Sequence, residues 1–252
     1  AQAITDAMTD CLSSVTTAQI TYAARDSDFD GFAIKEGDYL ALMEHQLFGT
    51  DRDLDALLQG KDFFILTTNQ DTQFVKLYPE DRVAEIQGDH RFFQCAACCT
   101  DDTWDAVAPV REMVDAMGTD TAIPTRLIPR GPHCGGEAFP WVRGYGNFLQ
   151  GKRYGEQYGK VSRYLLEHQD RKLLLLELGV GRITPMFIQE PFWNLTLSLP
   201  HARYIDVNDK YDFLPRQLED KGMVIAADIA RVLRDAKDAL LKEGSGHEKG
   251  GI

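Results

Sequence analysis

The segment Arg171-Lys-Leu-Leu-Leu-Leu-Glu-Leu178, flanked by Gly179 and Gly181, is the strongest strand signal in the chain. Four consecutive leucines lack the 3.6-residue period of a surface helix, and the glycines punctuate the run as a strand end. Strand and helix patterns alternate around it. Phe63–Thr67 and Val83–Ile86 precede it, and Ala202–Val207 and Met223–Ala226 follow. Helical patterns cover Tyr154–Glu167 and Asp228–Leu241, and Pro109 fits the first turn of another helix that Gly118 would end. Short apolar strands separated by helices predict an α/β chain with a doubly wound, mostly parallel sheet over residues 61–241.

Residues 1–60 follow a different pattern. Ile4, Ala7, Met8 and Cys11 suit an amphipathic helix; Ala18–Ala24 and Asp38–Met43 read as strands, and a short helix capped by Asp51 runs to Leu58 before Gly60. This N-terminal α+β segment holds 11 Asp and Glu against three Lys and Arg, a balance of −8, whereas the rest of the chain balances at −4. Such a step in charge suggests two segments of different origin. The Gly-rich tail, residues 242–252, is expected to be disordered.

The total charge of −12 leaves little basic surface for phosphate, which argues against a sequence-blind nucleic-acid binder. No apolar run approaches the roughly 20 residues of a membrane span, and no basic-then-apolar signal opens the sequence, so a cytoplasmic protein with no membrane partner is expected.

Three features carry candidate chemistry. Asn69, Gln70 and Asp71 follow the Phe63–Thr67 strand, where parallel sheets place ligands, although on these residues alone a polar turn capping a helix is the favoured reading. Gly179-Val-Gly181, with Thr184-Pro185 opening the next helix, permits close backbone approach to a phosphate, or is a tight turn. Five cysteines in a reducing compartment point to metal before disulfides. Cys95-x3-Cys99 and Cys134-Gly-Gly form two thiol knuckles of a zinc-ribbon-like insertion over about residues 92–140. A second CxxC pair would need a cysteine where Gly131 stands, so Cys95, Cys99 and Cys134 are the metal candidates, with Cys98 or His133 as fourth ligand; the alternative is a decayed site with free thiols. Of the histidines only His90 lies near the candidate loops, and neither HExxH nor GxSxG occurs.

Phe64-Ile-Leu-Thr-Thr-Asn-Gln-Asp71, Ala84-Glu-Ile-Gln-Gly-Asp89, Gln94-Cys95-x3-Cys99, Ile123-Pro-Thr125, His133-Cys-Gly-Gly136, Leu176–Gly181, Ile205-Asp-Val-Asn208 and Ala227-Asp-Ile229 occur in an order that resembles the sirtuins, more narrowly their macrodomain-linked bacterial branch. The resemblance implies a Rossmann-like NAD domain with an inserted zinc module that transfers ADP-ribose from NAD. By position it gives Asn69, Gln70 and Asp71 nicotinamide-side roles, and Gly179, Gly181 and Thr184 the phosphate side. Asn208 would contact the adenosine ribose, and Asp228 and Ile229 the adenine. Most sirtuins carry a catalytic His where this chain has Gln87, and a neutral amide cannot act as a general base near pH 7. The resemblance therefore favours a protein ADP-ribosyltransferase, with Asn69, Asp71 and Gln87 as catalytic candidates and lipoyl-carrying proteins among the acceptors. The alternatives are an NAD-dependent deacylase and a non-enzymatic binding or truncated fusion protein. Residues 1–60 contain no glycine loop of the kind that opens sirtuins, so the NAD domain is expected to be incomplete. Ala18–Gly31, Ile34-Lys-x-Gly-Asp-Tyr39 and Gln46-Leu-Phe-Gly49 instead resemble a C-terminal segment of dihydroxyacetone-kinase-like proteins, the large subunit of bacterial fatty acid kinase.

Overall fold

The computed structural model describes residues 49–117, 122–144, 146–182, 185–211 and 213–247. The helix expected within residues 1–12 and the strands expected at 18–24 and 38–43 lie outside the described residues, as do Gly118 and Thr184. The described chain falls into two compact units, residues 64–163 and residues 49–63 with 164–247.

Helix α1 (Gly49–Leu58) opens the described chain and belongs to the second unit. The first unit begins with β1 (Ile65–Thr67), followed by α2 (Gln73–Leu77) and β2 (Val83–Glu85), and the two strands pair in parallel from Ile65 opposite Val83. The ladder starts there because Glu80–Arg82 is a 3-10 turn, so the strand expected from Phe63 is shorter than its apolar run. Beyond β2 the chain turns into an antiparallel sheet, β3 (Gly88–Cys95), β4 (Trp104–Asp105) and β5 (Ala138–Val142), in the order β4-β3-β5. Helix α3 (Val107–Met117) packs Val110 and Met113 against Phe93, Ala106 and Ala138. Helix α4 (Lys152–His168) covers β2. Gln157 Oε1 accepts the Glu85 N–H at 3.2 Å, and Lys160 Nζ donates to Val83 O at 3.0 Å, so side chains satisfy backbone groups that a third strand would otherwise take.

In the second unit β6 (Leu173–Leu178), β7 (Ala202–Val207) and β8 (Gly222–Ile225) form a parallel sheet in sequence order. Helix α5 (Gln189–Ser198) makes the β6 to β7 crossover and packs Phe192, Trp193 and Leu195 against buried Leu175, Tyr204 and Leu218. Among the described residues, the β7 to β8 crossover carries the 3-10 turn Arg216–Leu218. Helix α6 (Ile229–His247) continues beyond the expected Leu241 into the Gly-rich segment. Its Lys237 Nζ pairs with buried Asp53 of α1, with Arg234 Nε 3.8 Å away. Parallel strands joined by helical crossovers make this an α/β protein, as the alternation implied. Among the described residues no helix is long and apolar enough to cross a membrane.

Gly88, at the start of β3, has φ +100°, and a Cβ there would lie 2.0 Å from the Trp141 carbonyl oxygen. Neither strand can retreat, because Trp141 is 1% exposed and its indole Nε1 donates to Leu149 O at 2.9 Å. Gly88→Ala should therefore cost roughly 2–4 kcal/mol in stability, seen as a lowered midpoint in thermal denaturation followed by circular dichroism. An unchanged midpoint would contradict this packing.

Candidate functional site

The first unit gathers the polar loop after β1 and the turn between β2 and β3. Thr67 Oγ1 accepts the Asn69 N–H at 3.0 Å, which folds the chain back as it leaves the strand. Gln70 then ties the loop down: its Nε2 donates to Gln87 O at 3.1 Å and to Arg143 O at 2.9 Å, and the Arg143 N–H also donates to Gln87 O at 2.8 Å. His90 Nδ1 lies 2.7 Å from Gln70 O. A carbonyl only accepts, so Nδ1 carries the proton, and burial holds the His90 pKa below its ordinary value, which keeps the ring neutral near pH 7. Asn69 and Asp71 are both exposed at the tip. The Asp71 carboxylate accepts the Gln73 N–H at 3.2 Å, an i to i+2 turn just ahead of α2, whose N-cap is Thr72 without a side-chain cap bond. The next residue, Thr72, is held at φ 60°, a strained conformation for a β-branched side chain.

Gln87 is 5% exposed, and neither its Oε1 nor its Nε2 has a hydrogen-bond partner among the described residues. Burying an unpaired amide costs about 1–3 kcal/mol, so a residue kept there calls for a reason beyond packing. On β2, β3 and the turn before β2 lies a charged network outside the sequence expectations. Arg91 Nη2 contacts Asp89 at 2.6 Å and Glu85 at 3.4 Å, while its Nη1 contacts Glu80 at 2.6 Å. Burial, together with neighbouring Asp89, holds the Glu85 carboxyl far above the usual carboxylate range. The alternation Glu85, Gln87, Asp89, Arg91 was the available signal; which partner each would find depends on the fold.

The thiols of Cys95, Cys99 and Cys134 lie within 4.8 Å of one another, with the Cys95 and Cys134 sulfurs 3.5 Å apart. The turn is closed by the Cys98 N–H donating to Cys95 O at 3.0 Å, and the Gly136 N–H approaches Cys134 Sγ at 3.3 Å. The Cys99 backbone N–H lowers the Cys95 thiol pKa, while hydrogen bonding to Cys95 raises that of Cys99. Three convergent thiols fit a zinc ligand set. Cys98 is not with them: at φ 48° its sulfur lies 3.9 Å from both Gln94 Nε2 and Asn147 O. His133 is also outside the group.

In the second unit Gly179 ends β6 at φ +69°, with its N–H donating to Val207 O at 3.0 Å. Gly179 and Gly181 are exposed beyond the carboxyl end of the strand. Asn208, 3% exposed, donates through Nδ2 to Val180 O at 3.0 Å and accepts the Lys210 N–H at 3.1 Å, so its amide braces the glycine loop. Asp228 caps α6, accepting the Arg231 N–H at 2.9 Å, and Ile229 begins that helix half-buried.

Beneath α5, Glu177 and Asp206 stand opposite each other on β6 and β7, respectively 1% and 0% exposed. Tyr204 OH and Gln189 Nε2 donate to Glu177 at 2.7 and 2.9 Å, but the Asp206 carboxyl oxygens have no hydrogen-bond partner among the described residues. Burial pushes Glu177 up to about 7 and Asp206 up to about 6. A carboxyl whose pKa is raised on folding contributes stability below its unfolded value and loses it as pH climbs through the folded value. The free energy of unfolding should therefore contain a component that declines between about pH 4 and pH 7. Asp206→Asn should flatten that decline in urea titrations across the range, and an unaltered pH dependence would contradict the assignment.

The family model for the C-terminal region of FakA-like fatty acid kinase proteins matches residues 1–82, and so runs past the charge step into the Asn69–Asp71 loop. A protein ADP-ribosyltransferase of Staphylococcus aureus (strain Mu50 / ATCC 700699) is 31% identical over 185 residues, covering 73% of this chain and 58% of that protein. A probable bifunctional ADP-ribose hydrolase/ADP-ribosyltransferase of Fusarium oxysporum f. sp. cubense is 29% identical over 186 residues, covering 69% of this chain and 31% of that protein. The chain thus spans less than two thirds of the length of either relative. A solved structure described under the mechanism and regulation of Sir2 enzymes superposes with a TM-score of 0.54 at 16% identity, covering 86% of this chain and 84% of that one, a likeness of fold. The chain thus has an α/β fold like that of the Sir2 structure, is similar in sequence to a protein ADP-ribosyltransferase over 185 residues, and over residues 1–82 matches the C-terminal region of FakA-like fatty acid kinase proteins.

Proposed function

We propose that this chain binds NAD and transfers its ADP-ribose to a protein acceptor, with lipoyl-carrying proteins as the first acceptors to try. The observation that carries transfer over deacylation is Gln87, a buried amide with no internal partner at the position where a sirtuin places its catalytic histidine. The 31% identity to a protein ADP-ribosyltransferase points the same way.

Each unit carries groups suited to one part of a dinucleotide. In the first unit, exposed Asn69 and Asp71 and the buried, unpaired Gln87 amide supply acceptors and donors for a ribose and a carboxamide; in the second, exposed Gly181 offers its backbone N–H to phosphate, and Gly179, whose own N–H is held by Val207 O, leaves room for close approach. Thr184, Asn208, Asp228 and Ile229 keep the phosphate-side and adenosine roles implied by the resemblance. NAD supplies the glycosidic bond between ribose and nicotinamide that is broken in transfer.

The chain's own contribution is positioning. Gln70 holds Gln87 and the Asn69–Asp71 loop as one piece by donating to Gln87 O and Arg143 O, and His90 fixes the Gln70 carbonyl from the other side. Gln87 donates and accepts hydrogen bonds without taking a proton, so it orients a hydroxyl and leaves it protonated. A base-assisted deacylation is thereby disfavoured, and an acceptor that brings its own nucleophile is favoured.

Calorimetry with NAD and label transfer from NAD to a lipoylated carrier protein test the reading. Heat of binding, transfer to the carrier and no deacylation of an acyl-lysine peptide are expected. Asn69→Ala, Asp71→Ala and Gln87→Ala should each lower transfer by about tenfold or more, the equivalent of one or two lost hydrogen bonds. No heat at millimolar NAD, or deacylation faster than transfer, would overturn it.

A further inference from the structure

The thiol cluster has a defined place for a fourth ligand, and that place is Gly131. A Cβ built on Gly131 would lie 3.4 Å from Cys134 Sγ, 3.7 Å from Cys95 Sγ and 3.8 Å from Cys95 Cβ, and these cysteine atoms are its nearest neighbours. All three are ordinary contact distances, so a Cβ at this position is accommodated and lies against the two sulfurs. The backbone does not require glycine either: Gly131 is absent from the positive-φ positions, unlike Gly135 at φ +66°. The residue is held in place from both sides of the knuckle, its N–H donating to Gly136 O at 2.8 Å and its carbonyl accepting the Gly135 N–H at 2.9 Å.

The two other candidates for that position are engaged elsewhere or stand apart. Cys98 is turned by its φ of 48° toward Gln94 Nε2 and Asn147 O. Gln94 is itself fully buried and accepts the Leu149 N–H at 3.0 Å, so this side of the turn is anchored. His133 is exposed and does not join the cluster.

We propose that Cys95, Cys99 and Cys134 hold a zinc ion whose fourth coordination position, over Gly131, is left unfilled by the protein and is taken by water that low-molecular-weight thiols displace. Zinc is tetrahedral in closed structural sites, and three protein ligands with an exchangeable fourth are the pattern of an open one. Cys99 and Cys134 are exposed, which gives a small thiol access to the ion. Three ionised thiols leave the ion at net charge −1 with water as fourth ligand, and the protons they release on binding go to solvent; an added thiol that binds as thiolate releases that water and its own proton to solvent and takes the site to −2. The site is thus a zinc centre that responds to the thiol content of its surroundings, a property that a fourth cysteine would remove.

Cobalt substitution of the intact chain tests this without reference to activity. Loaded with one equivalent of Co2+, the wild-type protein should change its d–d absorption when 2-mercaptoethanol is added at millimolar concentration. Gly131→Cys should show the added-thiol spectrum from the outset, not respond to the reagent, and retain zinc about tenfold more tightly against a chromophoric chelator. Cys98→Ser and His133→Ala should leave zinc retention unchanged, whereas Cys134→Ser should abolish it. The proposal is overturned if the wild-type cobalt spectrum ignores the added thiol, if Cys98→Ser or His133→Ala releases zinc as Cys134→Ser does, or if the wild-type chain takes up no metal. The titration needs only the wild-type protein, so misfolding of a variant does not remove the test, and NAD calorimetry stands or falls separately.

Discussion

At Gly88 the backbone of β3 presses against the Trp141 carbonyl too closely for any side chain, and the antiparallel ladder between β3 and β5 starts from this approach. One end of the ladder pairs Gly88 with Val142, which brings Arg143 N–H to Gln87 O and gives Gln70 two adjacent carbonyls to hold. The other end pairs Cys95 with Ala138, which sets the first thiol knuckle beside the second. Candidate dinucleotide groups and candidate zinc thiols therefore depend on one strand register. A register irregularity between Asp89 and Phe93 lets β3 serve both ends while Arg91 engages Asp89, Glu85 and Glu80.

Polar groups buried without partners cost stability, and two of them lie near the carboxyl ends of parallel strands. Gln87 follows β2, and Asp206 lies one residue from the end of β7. Ligands of open α/β sheets bind beyond such strand ends, where a polar group is less costly if something else hydrogen-bonds to it part of the time. Asn208 shows the contrasting solution. It is buried as deeply as Gln87, but its amide is spent on Val180 O and Lys210 N–H, so it holds the glycine loop in shape.

The cysteine spacing was legible as a metal motif, and so was the gap at position 131. The sequence left Cys98 and His133 as equal candidates to fill it. Cys98 is removed by its left-handed backbone and by Gln94 and Asn147, contacts that no spacing rule encodes. Asn69 and Asp71 were visible as polar residues at a strand end, but Gln70 and His90 gained their roles only from carbonyls far along the chain. The Glu177 and Asp206 pair was hidden for the same reason: two acids 29 positions apart become neighbours through strand pairing.

The sequence by itself determined the elements. Apolar runs and glycine boundaries set strands at Leu173–Leu178 and Ala202–Val207 and helices near Lys152–His168 and Ile229–His247, because periodicity and capping act over a few residues. Tertiary structure decided which groups meet. Only the folded chain places a Cβ-free Gly131 against two sulfurs, leaves the Gln87 amide unpaired, and sets Glu177 against Asp206, because register, burial and hydrogen-bond satisfaction depend on contacts between segments that no local pattern records.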